Sequence, residues 1–408
     1  MRLSLRTFIL AACSSALAAA PVAAQDPVSV YGYFSTRLEK SFGVPAADGT
    51  AIVKETSPRE FGYPFVNVML QSQLSPRFKV FANLNGAGAG VLDVRNIWGE
   101  WSPSAKFNVR VGKSYRKFGL YNEVLDAVPT YYGIEPPEAF DSDHLLISRT
   151  TALMVHGQVA TGPGRFNYSF STDNGEGQDV ETTMPIGYDA NYQFGTGQLT
   201  LGLSGYTSGG GTNGDKSVGE GSPRSGVLPW MADDDFSIVN LYAESKVGAL
   251  TLQAEWARAT HTATRDADAI VEVVNGAGLN DRQRARFLID PLAPVNVGNV
   301  RTDGSYDVTA WYVRGGYSFF TEKGEIGPYF QYDHYSNPET IAKKSFGGDA
   351  EAGESDDGVF SKITIGTLFR PIPNVALKID SSLFQYQLLG RSVSFHEIRL
   401  DLSYAFGL

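Results

Sequence analysis

The segment Ser394-Phe395-His396-Glu397-Ile398-Arg399-Leu400-Asp401-Leu402-Ser403-Tyr404-Ala405-Phe406 alternates almost without a break. Ile398, Leu400, Leu402, Tyr404 and Phe406 fall on one side of an extended chain, and Glu397, Arg399, Asp401 and Ser403 on the other. Successive side chains of a strand point to opposite faces, so this period of two describes a strand with one apolar and one polar face. The same pattern returns at 375–381, 107–112 and 66–74.

Carried along the chain, the reading places strands near 28–39, 66–74, 78–84, 92–101, 107–112, 150–161, 165–172, 186–194, 198–205, 235–247, 250–260, 305–319, 327–335, 358–370, 374–384 and 396–406. These are sixteen, with one hairpin as the margin of the count. Their connections alternate in length. Ser75-Pro76-Arg77, 102–106, Gly162-Pro163-Gly164, Gly195-Thr196-Gly197, Gly248-Ala249 and Pro371-Ile372-Pro373 are tight turns of breaker residues, whereas 40–65, 113–149, 206–234, 261–304 and 336–357 are long polar loops. An even number of antiparallel strands, with short turns at one rim and long loops at the other, describes an all-β fold: a closed transmembrane up-and-down β-barrel. A soluble sandwich would also alternate, but its loop lengths need not sort by parity. Aromatic residues gather at strand ends (Tyr31 and Tyr33, Trp98 and Trp101, Trp311 and Tyr312, Tyr317, Phe319 and Phe320, Tyr404 and Phe406), as girdles at a headgroup level would.

The first residues read as a targeting segment. Arg2 and Arg6 supply a positive start, 7–20 is apolar or small, and Val22-Ala23-Ala24 offers a cleavage site before Gln25. Residues 1–24 are therefore expected to be a signal peptide and 25–408 the barrel. Leu10-Ala11-Ala12-Cys13 has the shape of a lipoprotein box, but the apolar run before it spans only about one helical turn, so Cys13 is assigned to the discarded peptide. The mature chain then has no cysteine, which excludes a disulfide scaffold and a thiolate metal site. Without Arg2 and Arg6, 32 basic residues stand against 44 acidic ones, a net charge of about −12. No basic stripe is available for phosphates, so nucleic acid is not expected as a partner. Beyond residue 25 no apolar run is long enough for a membrane helix, and mean hydropathy is −0.16.

The final strand, closing on Leu402-Ser403-Tyr404-Ala405-Phe406-Gly407-Leu408, resembles the C-terminal assembly signal of outer-membrane barrels, although Leu408 stands where that signal has an aromatic residue. The overall plan (signal peptide, sixteen strands, a long loop after the fifth) resembles the sixteen-stranded bacterial porins. Its layout is also similar to that of the phosphate-selective porin O/P branch, whose ladder of lysines and arginines is not evident here. The resemblance implies a homotrimer, insertion by the barrel-assembly machinery, contact with outer-membrane lipid and lipopolysaccharide, and passive diffusion of small hydrophilic solutes and ions. A channel specific for a sugar or a small organic acid is the alternative, with Tyr115, Tyr131 and Tyr132 as an aromatic slide.

A barrel of this size is wider than its own side chains can fill. The resemblance implies that the loop after the fifth strand, 113–149, folds inward as a constriction. Its aromatic and proline content (Tyr115, Phe118, Tyr121, Tyr131, Tyr132, Phe140; Pro129, Pro136, Pro137) suits an ordered segment. The candidate constriction residues are Tyr115, Arg116, Glu123, Asp126, Tyr131, Tyr132, Glu135, Glu138, Asp141 and Asp143. Strand parity turns Arg37, Lys79, Arg110, Lys378 and Arg399 toward the lumen as a basic wall. Acids facing bases across a gap would set a transverse field, and net acidity leans the channel toward cations.

Other motifs carry less. Gly86-Ala87-Gly88-Ala89-Gly90 follows a strand but precedes no helix, so it reads as an outer hairpin loop. Asp233-Asp234-Asp235 and the acids of 351–357 lack calcium-loop spacing and read as solvated acids. Asn280-Asp281-Arg282-Gln283 predicts a capped helix start, leading into a short surface helix. The five histidines (His144, His156, His261, His334, His396) are scattered, with no Gly-x-Ser-x-Gly elbow. No catalytic residue, metal or cofactor is expected.

Overall fold

The computed structural model describes residues 28–48, 50–56, 60–62, 64–87, 92–124, 127–140, 149–173, 184–208, 230–277, 279–339 and 355–407. The signal-peptide assignment, His144, and the candidates Asp126, Asp141 and Asp143 lie outside these residues.

Sixteen long strands pair antiparallel with their neighbours in sequence: β1 Ser29–Phe42, β2 Phe65–Ser75, β3 Phe78–Ala87, β4 Leu92–Ser104, β5 Phe107–Tyr115, β6 Arg149–Thr161, β7 Gly164–Asp173, β8 Ile186–Phe194, β9 Leu199–Thr207, β10 Met231–Val247, β11 Leu250–Arg265, β12 Asp303–Tyr317, β13 Gly324–Ser336, β14 Val359–Ile372, β15 Val375–Leu388 and β16 Arg391–Phe406. Short pieces accompany them: a hairpin of Val44–Asp48 and Ala51–Glu55 in the first loop, Glu60–Phe61 against β1, and Phe319–Thr321 continuing β12. Pairing of β1 with β16 from Gly32↔Phe406 to Phe42↔His396, and with β2 from Ser29↔Gln71 to Ser35↔Phe65, closes the sheet. All sixteen strands read from the sequence are present. Several run longer than periodicity indicated, β11 and β16 most of all. β15 and β16 meet at a two-residue turn, Leu389-Gly390, with φ of +50° and +68°. Two positive φ values in a two-residue hairpin suit the right-handed twist of the flanking strands. The eighth outer connection is thus as tight as those at the opposite rim.

The faces carry the polarity of a membrane barrel. On β15, Leu377 and Ile379 are 40% and 47% exposed while Lys378 is fully buried, and on β16 Ile398 points out while Asp401 and Ser403 are buried. Large apolar side chains cover the outside because hydrocarbon is the solvent there, and polar groups turn inward to protein and water. Ladders between neighbouring strands satisfy the backbone, which no open sheet could do in lipid.

One sector departs from polar-inside. The inner faces of β10–β12 and β14–β16 carry Phe236, Ile238, Ala257, Ala259, Val308, Ala310, Phe360, Phe384 and Phe395, all buried. They pack against Phe118, Tyr121 and Phe140 of the loop after β5 and against Ile270, Phe287 and Leu288 of the loop 266–302. The outer half of this sector is therefore a dry core inside the barrel. The loop 266–302 contains two helices, α1 Ala267–Ala277 and α2 Asp281–Phe287. The expected cap at α2 is present: Asn280 Oδ1 accepts from Gln283 N at 2.8 Å and Gln283 Oε1 accepts from Asn280 N at 3.2 Å. That helix is no surface ornament, since Phe287 and Leu288 are fully buried. The acids at 233–235 are not all solvated either. Asp234 is buried, its carboxylate bound to His261 Nδ1 at 2.9 Å and to the Tyr306 hydroxyl at 3.0 Å.

Candidate functional site

The loop that leaves β5 at Arg116 folds into the lumen and is pinned along the wall. At its start Arg116 is buried, paired with Asp173 of β7 at 2.6 Å and stacked 4.2 Å over the Tyr206 ring. Gly119 N donates to Ser204 Oγ at 2.9 Å, Leu120 N to Glu255 Oε1 at 3.0 Å, and the Tyr121 hydroxyl to Gln253 Oε1 at 2.8 Å. Glycine is required at 119. Its φ is +61°, and a Cβ would lie 2.2 Å from Glu255 Oε2. Replacing Gly119 with alanine is expected to unseat this end of the loop at a cost of about 1–3 kcal/mol, measured as a lower midpoint for the heat-induced mobility shift of the folded barrel.

Further along, Tyr132 lies flat against Gly316 and Gly327 and bonds the Ser318 hydroxyl at 2.8 Å, while Lys378 Nζ donates to Gly133 O at 2.6 Å. Ile134 N donates to Asp380 Oδ2 at 2.9 Å. Glu135 then meets Arg37 at 2.9 Å, Lys362 at 3.5 Å and Arg399. Glu138 pairs with Lys362, and its N–H donates to Asp333 at 3.1 Å. Burial works to raise the Glu135 carboxyl, but Arg399, Lys362 and Arg37 together outweigh it and hold the group at about 2.

The structure brings the predicted acids and bases together, but not across open water. Arg37 and Arg399 touch Glu135 directly, and Lys378, Tyr115, Arg116 and Glu138 are buried under or within the loop. The transverse field expected at this wall is closed into contact pairs, because the loop lies on the wall instead of facing it. The aromatic slide is likewise absent among the described residues: the Tyr131 ring packs on Tyr121 and 4.8 Å from Lys378 Nζ, and Tyr132 fills the space over two glycines.

The remaining two basic candidates form a second, separate cluster. Glu100 of β4 accepts from Lys79 at 3.2 Å, Arg110 at 2.7 Å and His156 at 3.0 Å. Glu123 of the loop faces them, 3.3 Å from Lys117 and 3.8 Å from Arg110. Arg110 and Lys79 both lie over the Trp98 ring, at 4.0 and 5.1 Å. Two cavities meet at Glu123. One, of about 300 Å³, is lined by Tyr31, Asn83, Asn96, Trp98 and Arg110; the other, of about 460 Å³, by Asn108, Lys117, His156, Asn167, Asp189, Asn191 and Tyr242. Both lie in the β1–β10 sector, and Leu120 lines the larger one while packing against the dry core.

Glu100, Lys362, Asp380, Asn191 and Asp189 were missing from the sequence reading. Inward parity on their strands was the available signal, since Glu100 alternates with Trp98 and Ser102 as Arg110 does with Asn108.

No family model matches the chain, and no curated protein matches it in sequence. Solved structures do match it in fold. An anion-selective porin from Comamonas acidovorans is 14% identical, with 93% of this chain and 99% of that one covered and a TM-score of 0.56. OmpF of Salmonella typhi, solved in complex with daunomycin, is 13% identical over 93% and 97%, with a TM-score of 0.55. The outer-membrane channel DcaP of Acinetobacter baumannii is 12% identical over 93% and 97%, with a TM-score of 0.53. At these identities the likeness concerns the fold: this chain has the barrel of the bacterial outer-membrane porins.

Proposed function

We propose that this chain is an outer-membrane porin through which small hydrophilic solutes and ions diffuse passively. One observation carries the reading: beside the inward loop, the described residues enclose two cavities that meet at the Glu123 cluster, the larger of them lined mainly by polar groups. A wall of hydrogen-bonding groups around water-filled space admits hydrated solutes and excludes apolar ones. Around Glu123 and Glu100 stand Lys79, Arg110 and Lys117, so acids and bases nearly balance and selectivity between ions is weak.

The fold supports residence in a bacterial outer membrane, reached with the segment 1–24 as a cleaved signal peptide and with β16 handed to the barrel-assembly machinery. It also supports a homotrimer, joined through outer walls, with lipid and lipopolysaccharide around it. An enzyme is not favoured. Among the described residues His334 lies 3.2 Å from Ser361 Oγ, but on the outer face of the barrel beside Trp311 and Tyr332, away from the lumen. His261 is buried against Asp234.

Purified protein in a planar bilayer under a salt gradient tests this. Steady, stepwise conductance with a reversal potential near zero is the expected outcome. A bilayer that stays silent at every voltage would overturn it.

A further inference from the structure

The larger cavity differs from the Glu123 cluster in chemistry. Its lining is dominated by neutral hydrogen-bonding groups from five strands: Asn108 on β5, Asn167 on β7, Asn191 and Gln193 on β8, Thr200 on β9 and Tyr242 on β10 supply the polar surface. They form a connected array. Asn167 Nδ2 donates to Asn191 Oδ1 at 2.8 Å, Asn191 Nδ2 donates to the Tyr242 hydroxyl at 3.0 Å, and that hydroxyl donates to Asp189 Oδ2 at 2.8 Å. Asn108 is held by one donated bond, to His156 O at 3.1 Å. A carboxamide has two donor hydrogens and an acceptor oxygen with two lone pairs. Both side chains line the cavity, and among the described residues nothing donates to Asn108 Oδ1 or Asn167 Oδ1, so both oxygens keep acceptor capacity in hand.

The charged groups of this cavity are already answered by protein. Lys117 and Glu123 pair with each other, Glu244 lies 2.7 Å from Lys246, and Asp189 accepts from Ser204, Tyr242 and Asn191. An anion that enters loses hydration against a lining whose acids outnumber Lys117. A cation finds those carboxylates already taken, Glu123 by Lys117, Glu244 by Lys246 and Asp189 by three hydrogen-bond donors. A solute with hydroxyls on successive carbons finds donors and acceptors arranged around it. The volume of about 460 Å³ falls within the range, roughly 300–1,000 Å³, of small-molecule sites.

We propose that this cavity is a binding site for a neutral polyhydroxylated solute of single-sugar size, occupied in transit. The assignment rests on the porin reading and names the solute class that the channel holds longest. Asn167 and Asn108 hold the ring hydroxyls through their free carboxamide oxygens. Tyr242 and Asp189 hold the carboxamide of Asn191 in place.

The test uses the full protein in a planar bilayer with D-glucose, D-gluconate and D-glucosamine as probes. Glucose is expected to reduce the open-channel current saturably and to add current noise, with an apparent affinity about tenfold better than either charged analogue. Asn167→Leu is expected to weaken glucose block about tenfold, each variant being scaled to its own open-channel current. If that variant fails to insert, the three-probe comparison on the unaltered protein decides alone. A conducting channel that ignores glucose, or is blocked as well by gluconate or glucosamine, overturns this proposal and leaves the porin reading standing. Absence of any conductance overturns both.

Discussion

Replacing Glu135 with alanine is expected to loosen the tip of the inward loop and to turn a quiet channel into a flickering one with more anion current. Glu135 is the carboxylate on which Arg37, Arg399 and Lys362 converge. Removing one partner of a buried ion pair costs about 3–5 kcal/mol, because the remaining charge loses its compensation. Here the cost belongs at the lower end, about 3 kcal/mol. Arg399 keeps Glu397 at 2.7 Å, Lys362 keeps Glu138, and Glu135 itself is 20% exposed. Among the described residues Arg37 is left with the carbonyl of Ile134, at 3.3 Å. Its charge then faces water, which moves the reversal potential toward anions. Acidification should do the same to the unaltered protein. The Glu135 carboxyl is depressed from 4.5 to about 2, so its contribution is complete above pH 4.5 and is lost as pH falls from there through about 2. Single-channel records across that interval should show flicker growing in the original protein and little further change in the alanine variant. Equal quietness of both at pH 7 would remove Glu135 as the anchor.

The strands were legible because hydrocarbon imposes one rule on every outward position. Ile398, Leu400 and Leu402 face the same solvent, so alternation repeats without regard to neighbours. Parity also turned the five basic residues inward as an expectation; among the described residues Arg37 and Arg399 meet Glu135, Lys79 and Arg110 meet Glu100, and Lys378 bonds Gly133 O. Their partners were not legible, because whether Arg110 meets an acid of the loop or Glu100 on the adjoining strand depends on how strands are registered. Glu100↔Arg110 is a direct cross-strand pair, invisible until the register is known. The inner dry core hid for a different reason. On the outer half of β11, Ala257, Ala259 and Ala263 face inward while Arg258, Thr260, Thr262 and Thr264 face out, which reverses the pattern that marks a membrane strand. There the strand stands beyond the apolar band whose upper edge is Trp256 beside Trp311. The outside is wet and the inside is packed, so alternation persists with its sense inverted. Helix α1 was missed because Ile270, Val271, Val273 and Val274 favour extended structure, although Asp266 caps it through Ala269 N at 2.8 Å.

That inverted sector depends on Glu339, and Glu339→Ala is expected to open the outer cap while leaving conduction almost untouched. The Glu339 carboxylate is fully buried and takes a two-pronged bond from Arg265 at the end of β11, plus one from Arg286 of α2 at 2.6 Å. Arg265 also donates to the carbonyls of Arg301 and Asp303, at 3.1 and 3.0 Å, so one guanidinium joins β11, the loop 266–302 and the start of β12. Planar guanidinium and carboxylate match in two parallel bonds, which fixes direction as well as distance. Alanine at 339 would strand Arg265 inside protein and cost about 3–5 kcal/mol. The barrel ladders below are untouched, so the loss should appear as rapid trypsin cleavage within 266–302, with the barrel core intact. Conductance should hold, since neither the loop 266–302 nor Glu339 lines the two cavities. The penalty comes from uncompensated charge and not from lost attraction. A triple variant, Arg265→Met, Arg286→Met and Glu339→Leu, removes every charge at once and should regain most of the protease resistance. If the triple variant is cleaved as fast as Glu339→Ala, the cap is held by the bonds themselves and the desolvation account fails.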